Sequence, residues 1–318
     1  MRCVRELWLS RRVWRPPRDF ANGFEAFAMK FKAVVTRERF EILNALVNAL
    51  SKVGPQCAVL LSRDELQFAA NEESQSTESL YIFATMEPTQ VFSEFRVESR
   101  ANNQVAFVIV LENLQRALQS GRQAAQVVFK LATKQGSPHL VIETTADRID
   151  VCHDIPIQLI KVSSMEEHYP PQIDEPQAQI EMAPPQSLRA VMDRMKLLHD
   201  LVQVDVDMEQ GRMTFSVATD NVTMRTFYHD LEDKTPGESQ RHASEHDDER
   251  EGGCAKRNVS VKLNSRQFVR TLNFANMHSE STVCCITEGQ AMQLHVHLWQ
   301  DIGCISYVIP VLNECEGK

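Results

Sequence analysis

The sequence lacks the motifs that most often mark an enzyme. It contains no phosphate-binding P-loop, no GxSxG elbow and no GxGxxG loop, so no motif supports nucleotide hydrolysis or acyl transfer. The run Cys152-His153-Asp154 has the residue types of a nucleophilic relay, but neighbours along a strand point to opposite faces. These absences favour a protein without catalysis of its own.

Paired cysteines and long apolar runs are also absent. The eight cysteines include no CxxC pair and follow no secretory signal, which is typical of reduced thiols in an intracellular protein. The most apolar stretches, such as residues Val105–Leu111, are far shorter than the ~20 residues that cross a bilayer. His295 and His297 alternate onto one face of a predicted strand near Cys284 and Cys285. Without paired ligands, however, we expect no zinc site and no other cofactor there.

Length and composition indicate a folded chain of two ordinary domains or one large domain. Of the 318 residues, 43% are hydrophobic and 24% are charged, a mixture typical of globular proteins. Regular patterning begins at Met29, whereas residues 1–28 hold six arginines without periodicity. Glu6, Asp19 and Glu25 argue against a targeting peptide, because such peptides avoid acidic residues. We expect residues 1–28 to be an appendage, either a disordered tail or the product of an upstream start.

A repeated order of elements predicts two similar halves. Residues 29–160 alternate strand and helix patterns in an order that returns in residues 178–318. The segment VAFVIVLENLQRAL at Val105 lies over VSVKLNSRQFVRTL at Val259 without a gap, at an offset of 154 residues. Because whole blocks of elements agree in order, we predict a duplicated domain.

Two segments between the patterned blocks differ in composition. Residues 161–177 are rich in Pro, Glu and Gln, which predicts an extended, solvated connector between the two domains. Residues 230–257 are charged and glycine-bearing, which predicts an acidic surface loop inside the second domain.

The predicted helices differ from the rest of the chain in charge. They span residues 37–52, 111–122, 185–199 and 264–276. Together they hold ten Lys and Arg against four Asp and Glu, a net charge of +6, whereas the whole chain carries −9. In the last helix Arg266, Arg270 and Asn273 share one face, as expected for an amphipathic helix. A solvated surface explains any single helix of this kind, but four such helices on an acidic body favour binding of duplex DNA through its phosphates.

Five segments resemble one protein family. They are MKFKA at Met29, ANNQVAFVIVLENLQRAL at Ala101, HDIPIQLI at His153, LRAVMDRMK at Leu188 and SYVIPVL at Ser306. With these segments in this order, the chain resembles the HUS-type subunits of the checkpoint clamp, which belong to the PCNA-like sliding-clamp superfamily. The resemblance implies an α+β DNA-clamp fold with two similar domains, each with antiparallel sheets and two helices on the inner face.

The resemblance also implies function. Family members are non-catalytic subunits of a nuclear ring of three different chains, which encircles double-stranded DNA at damage sites and supports checkpoint signalling and repair. The implied partners are two RAD-type sister subunits, an ATP-dependent clamp loader and repair enzymes. A homotrimeric replication clamp and a protein-interaction scaffold that never encircles DNA remain the alternatives. Carried over by position, the DNA-facing candidates are Arg37, Lys52, Arg116, Arg189, Arg194, Lys196, Arg266 and Arg270.

Overall fold

The computed structural model describes residues 29–72, 79–146, 149–182, 185–234, 258–276 and 279–312. The predicted appendage of residues 1–28 and most of the predicted acidic loop lie outside these residues. No helix in the described ranges has both the length and the hydrophobicity that crossing a bilayer requires.

The first half of the chain repeats a strand, a helix and several strands. Its elements are β1 (Lys30–Thr36), α1 (Arg37–Val53), β2 (Gln56–Leu61), β3 (Leu66–Asn71), β4 (Tyr81–Met86), a single helical turn (Pro88–Val91), β5 (Glu94–Glu98), β6 (Val105–Val110), α2 (Leu111–Gly121), β7 (Gln126–Lys134), β8 (Ser137–Ala146) and β9 (Ile149–Ile160). The order agrees with the sequence pattern, which predicts strands such as Cys57–Leu61, Leu80–Thr85 and Val105–Val110 but none at β3 or β5.

The second half follows the same order. Its elements are β10 (Ala178–Glu181), α3 (Pro185–Leu198), β11 (Leu201–Asp207), β12 (Arg212–Ala218), β13 (Thr223–Tyr228), β14 (Asn258–Asn264), α4 (Ser265–Thr271), a 3-10 helix (Leu272–Asn276), β15 (Ser279–Thr287), β16 (Ala291–Leu298), a short 3-10 turn (Trp299–Asp301) and β17 (Gly303–Pro310). The last predicted helix thus tightens into a 3-10 helix over its final five residues.

The strands form two sheets, and every strand pair in the described ranges is antiparallel. The larger sheet has thirteen strands in the order β10-β15-β16-β17-β4-β3-β2-β6-β9-β8-β7-β1-β5, and the smaller has four in the order β13-β12-β11-β14. The pairing of β17 with β4 joins the halves, with Gly303 opposite Met86 and Val308 opposite Tyr81. One hydrophobic core runs through both halves.

Residues 162–169 of the connector are packed, which corrects the prediction that this part is extended and solvated. Val162–His168 form a 3-10 helix, and Met165 is buried in a small cluster with Ala58, Leu60 and Ala106. Tyr169 packs edge-on against Phe83 with ring centroids 5.2 Å apart. The apolar side chains in an otherwise polar stretch therefore hold the connector on the sheet.

The predicted acidic loop begins later than the sequence suggests. Asp233 forms a β-bridge with Ile180, and the backbone N–H of Lys234 donates to the carbonyl of Gln179 over 3.0 Å. The side chain of Lys234 also pairs with Glu181 over 2.9 Å. The segment just after β13 therefore extends the sheet beside β10, and the remainder of the predicted loop, residues 235–257, falls outside the described ranges.

A candidate DNA-facing row of helices

The four helices form one row in the order α2, α1, α4, α3. Within the first half α1 packs on α2, within the second half α3 packs on α4, and α1 also packs on α4 and its 3-10 extension. Between α1 and α2, the Gln115 amide donates to Asn48 Oδ1 over 2.8 Å and to Ser51 Oγ over 2.7 Å. The row therefore crosses the boundary between the halves.

Local sequence explains how helix α1 packs on the sheet and where helix α4 begins. Phe40, Leu43 and Val47 of α1 recur at helical spacing and are at most 5% exposed, so one face packs on the sheet. Helix α4 begins at a conventional N-cap, because the Asn264 side chain accepts hydrogen bonds from the backbone N–H groups of Arg266 and Gln267. These apolar faces leave the charged side chains on the far side of the row.

Three of the predicted DNA-facing residues have no ion-pair partner in the part of the chain that the structure describes. Arg37, Lys52 and Arg194 are exposed, and none of them forms an ion pair with a residue that the structure describes. An exposed guanidinium or ammonium group without a carboxylate partner keeps its full attraction for phosphate.

Two others, Arg116 and Arg266, are exposed but paired with carboxylates. Arg116 pairs with Glu112, and Arg266 pairs with Asp200 over 2.9 Å. Exposed pairs of this kind contribute little to stability, so these cations can exchange a carboxylate for a phosphate at little cost.

Arg189 and Lys196 share one partner on α3. Asp193 lies 3.9 Å from the Arg189 Nε and 2.5 Å from the Lys196 Nζ. The three side chains leave a net positive charge on this face of the helix, because the single carboxylate neutralises only one of the two cations.

Arg270 lies between the two halves. Its Nη1 is 2.6 Å from Glu72 Oε1, and Gln267 Nε2 donates to Glu72 Oε2 over 2.9 Å. Partial burial alone would raise the pKa of Glu72, but the hydrogen bonds from Gln267 and Arg270 and the charge of Arg270 lower it below its ordinary value. The structure therefore shows Arg270 holding the second half against the first. Sequence reasoning missed Glu72, because it follows β3 and shares no motif with Arg270.

Comparisons with known proteins bear on this arrangement. A model of the family described as "Hus1-like protein" matches residues 29–313. The chain belongs to this family. Relatives include the Checkpoint protein hus1 homolog of Dictyostelium discoideum, 26% identical over 89% of this chain and 99% of that protein. The Checkpoint protein HUS1 of Homo sapiens is 24% identical over 90% of this chain and 100% of that protein.

Solved structures of the same fold are more distant in sequence. This Hus1-like chain matches PCNA from Thermococcus kodakaraensis with a TM-score of 0.64 and 16% identity, covering 89% of this chain and 100% of that one. Proliferating Cellular Nuclear Antigen from Entamoeba histolytica matches with a TM-score of 0.64 and 11% identity, covering 89% and 99%. The predicted PCNA-like clamp fold is confirmed.

Of the residues weighed as a nucleophilic relay, His153 lies apart from the other two in this Hus1-like chain. His153 Nε2 lies 2.7 Å from Ser120 Oγ on α2, whereas the Cys152 thiol lies on the other face of β9, 3.8 Å from Asp154. Desolvation and the nearby Asp154 charge raise the pKa of Cys152 above its ordinary value, which lowers its nucleophilicity at neutral pH.

The residues weighed as metal ligands have other contacts. His295 Nδ1 lies 2.9 Å from Ser306 Oγ, and Cys284 and Cys285 are buried free thiols. Across the described ranges, no three His, Cys, Asp or Glu side chains are grouped to hold a metal ion. His295, Cys284 and Cys285 are buried in the sheet.

Proposed function

We propose that this chain is a non-catalytic subunit of a heterotrimeric checkpoint sliding clamp, which encircles DNA at damage sites and supports checkpoint signalling and repair. The single observation that carries this proposal is the row of four basic-biased helices on a clamp fold whose body is acidic. Its curated relatives carry the name checkpoint protein.

Open strand edges support assembly into a ring. Within the chain β4 of the first half pairs with β17 of the second. By element order, β13 of the second half is the counterpart of β4, and β9 of the first half is the counterpart of β17. In the described ranges β13 pairs only with β12, and residues Ile149–Asp154 of β9 pair only with β8. The second half thus has an open edge at β13 and the first half has one at β9. Because their counterparts pair inside the chain, β13 of one subunit can pair with β9 of the next in head-to-tail association, which closes into a ring when the rotation allows it.

The helices suit duplex DNA of any sequence. Their exposed Arg and Lys side chains attract phosphates, while an overall charge of −9 keeps the outer body from binding nucleic acid indiscriminately. The DNA-facing set that we propose comprises Arg37, Lys52, Arg116, Arg189, Lys196 and Arg266. Arg270 takes a structural role, and Arg194 is considered separately below.

The family resemblance supports the remaining parts of the proposal. The partners are two RAD-type sister clamp subunits, an ATP-dependent clamp loader that opens the ring, and repair enzymes that dock on it. The chain acts in the nucleus and needs no cofactor. A homotrimeric replication clamp would share the fold but would need no sister subunits.

Ring composition tests the proposal. We expect light scattering to find the purified chain monomeric alone and in a one-to-one-to-one complex when both sister subunits are added. A stable trimer of this chain by itself would favour the replication clamp. Failure to assemble with either sister would favour a scaffold that does not form a ring.

A further inference from the structure

The internal duplication allows position-by-position comparison of α1 and α3. Helix α1 begins at Arg37 and α3 begins at Pro185, an offset of 148 residues. At this offset the sheet-facing positions agree in burial, since Phe40, Asn44 and Val47 correspond to Leu188, Met192 and Met195, and all six are at most 5% exposed. The two helices therefore pack corresponding faces against their own halves of the chain.

One flank of α1 is buried by the other half of the chain. Asn48 and Ser51 bond to Gln115, which marks the flank that faces α2. Helical spacing puts Leu46, Ala49 and Leu50 on the opposite flank, and each is at most 2% exposed. Helix α4 and its 3-10 extension pack against α1, so this flank lies at the junction between the halves.

The corresponding flank of α3 is uncovered. The same positions hold Arg194, Leu197 and Leu198, and the two leucines are 81% and 39% exposed. Ser187 lies on this flank too, and it hydrogen-bonds to Tyr228 of the open edge strand β13. A continuous surface thus runs from the flank of α3 to β13. We call Ser187, Arg194, Leu197 and Leu198 the α3 seam.

We propose that the α3 seam docks the first half of a neighbouring clamp subunit, whose helix packs apolar side chains on Leu197 and Leu198 and directs a carboxylate at Arg194. This inference rests on the proposed function, because the neighbour is a clamp subunit. It makes Arg194 a residue that selects the partner, not one that faces DNA.

The carboxylate follows from the cost of burying an unpaired charge. The position of Arg194 corresponds to Leu46, which is fully buried at the internal junction. Covering a guanidinium in such a place without an acidic partner is strongly unfavourable. At the internal junction a partly exposed arginine, Arg270, likewise meets a carboxylate of the other half, Glu72, over 2.6 Å.

A second copy of this chain is a poor occupant because its docking edge is polar. At the internal junction Phe274 and Tyr307 are fully buried, with ring centroids 6.0 Å apart. The offset of 154 residues puts Ser120 and His153 at the same positions of the first half, where they form a hydrogen bond over 2.7 Å. A second copy would bring this polar pair to a seam containing two exposed leucines.

The same comparison leaves the arginine of a second copy without a carboxylate across the junction. Arg116 holds the position of Arg270, and Thr219 holds that of Glu72. Glu72 and Thr219 are equivalent because each directly follows a strand. In each, the backbone N–H donates to the carbonyl oxygen of the residue just before the next strand. A self-associated ring would therefore lack the ion pair that joins the halves. The occupant is a different clamp subunit, with matching apolar and acidic groups.

Pairwise binding to each sister subunit tests the inference. The full chain would carry Arg194→Glu or Leu197→Ser, and each sister subunit from the same organism would be titrated separately by calorimetry. We expect either variant to bind one sister at least about 30-fold more weakly, because a covered charge pair and an apolar contact are lost. Binding to the other sister should not change. Both side chains are exposed in the isolated chain, so folding should be retained.

Arg189→Glu is the matched control. It makes the same charge change on the same helix but lies on the other side of the sheet-facing stripe, and it should leave both pairwise affinities unchanged. An acidic-to-Lys substitution on the docking helix of the affected sister should restore binding to Arg194→Glu. Unchanged binding of Arg194→Glu to both sisters would overturn the inference while leaving the proposed function intact. A wild-type chain that binds neither sister would contradict the proposed function itself.

Discussion

Glu72 and Arg270 lie 198 positions apart in the chain, yet their ion pair joins the two halves. The sequence identified Arg270 as a basic residue on the polar face of a helix, and that placement is correct. Composition and periodicity could not reveal that its charge is already engaged, because the partner follows a strand in the other half. Pairing over such distances depends on the sheet topology, which a single sequence does not display.

Glu72→Gln should lower the free energy of unfolding at pH 7 by about 1 kcal/mol, because the partly exposed charge pair with Arg270 is lost. The pKa of Glu72 is lowered in the folded protein, so its contribution is complete above the ordinary pKa of 4.5 and is lost as pH falls through the lower folded-state value. Urea unfolding at pH 7 and pH 3 measures this difference. Glu112→Gln, which breaks an exposed pair, serves as the control and should have no measurable effect. A Glu72→Gln effect that is equally large at pH 3 would contradict the assignment.

Helices were predicted more accurately than short strands. Three of the four predicted helices end within one residue of their observed bounds, because a long amphipathic repeat leaves little freedom in register. The fourth, predicted over residues 264–276, divides into α4 and the 3-10 helix that follows it. The strand β5, EFRVE, is only five residues long, and β3, LQFAAN, carries two adjacent alanines. Such short segments acquire strand structure from their neighbours in the sheet and give little signal of their own.

The connector was also predicted incorrectly, since its packed 3-10 helix was predicted to be solvated. Its composition is polar, but Met165 contacts the outer side of the sheet through Ala58 and Ala106. A single apolar side chain does not alter a composition average, although it decides where the backbone lies.

The pairing of β17 with β4 allows a test at the level of elements. A Cβ atom on Gly303 would lie 2.1 Å from the carbonyl oxygen of Thr85, so Gly303→Ala must push the two strands apart. We expect the free energy of unfolding to fall by about 2 to 3 kcal/mol, measured by urea denaturation. Ser163→Ala, on an exposed position of the connector, should have no effect. Unchanged stability of Gly303→Ala would show that the strands do not approach this closely.

At the scale of the whole molecule, the duplication could be predicted because two halves with the same element order are visible in one chain, whereas the clamp fold was implied by the resemblance to a known family. The DNA-facing surface was argued from charge distribution, with ten cations on helices of a chain whose net charge is −9. The sequence could not distinguish a helix flank facing DNA from one facing a neighbouring subunit. That distinction came from comparing Leu46 with Arg194, which requires knowing which side of each helix the rest of the chain covers.

Retention on DNA tests the central claim that this chain helps to encircle a duplex through its helix row. The ring of this chain and both sister subunits would be loaded on circular DNA and washed at increasing salt, before and after the DNA is cut. We predict retention on circular DNA and release from its ends after cutting, with earlier release by salt for the double variant Arg189→Glu, Arg266→Glu. Equal retention on cut and circular DNA, or a double variant that behaves as the wild type, would contradict the account.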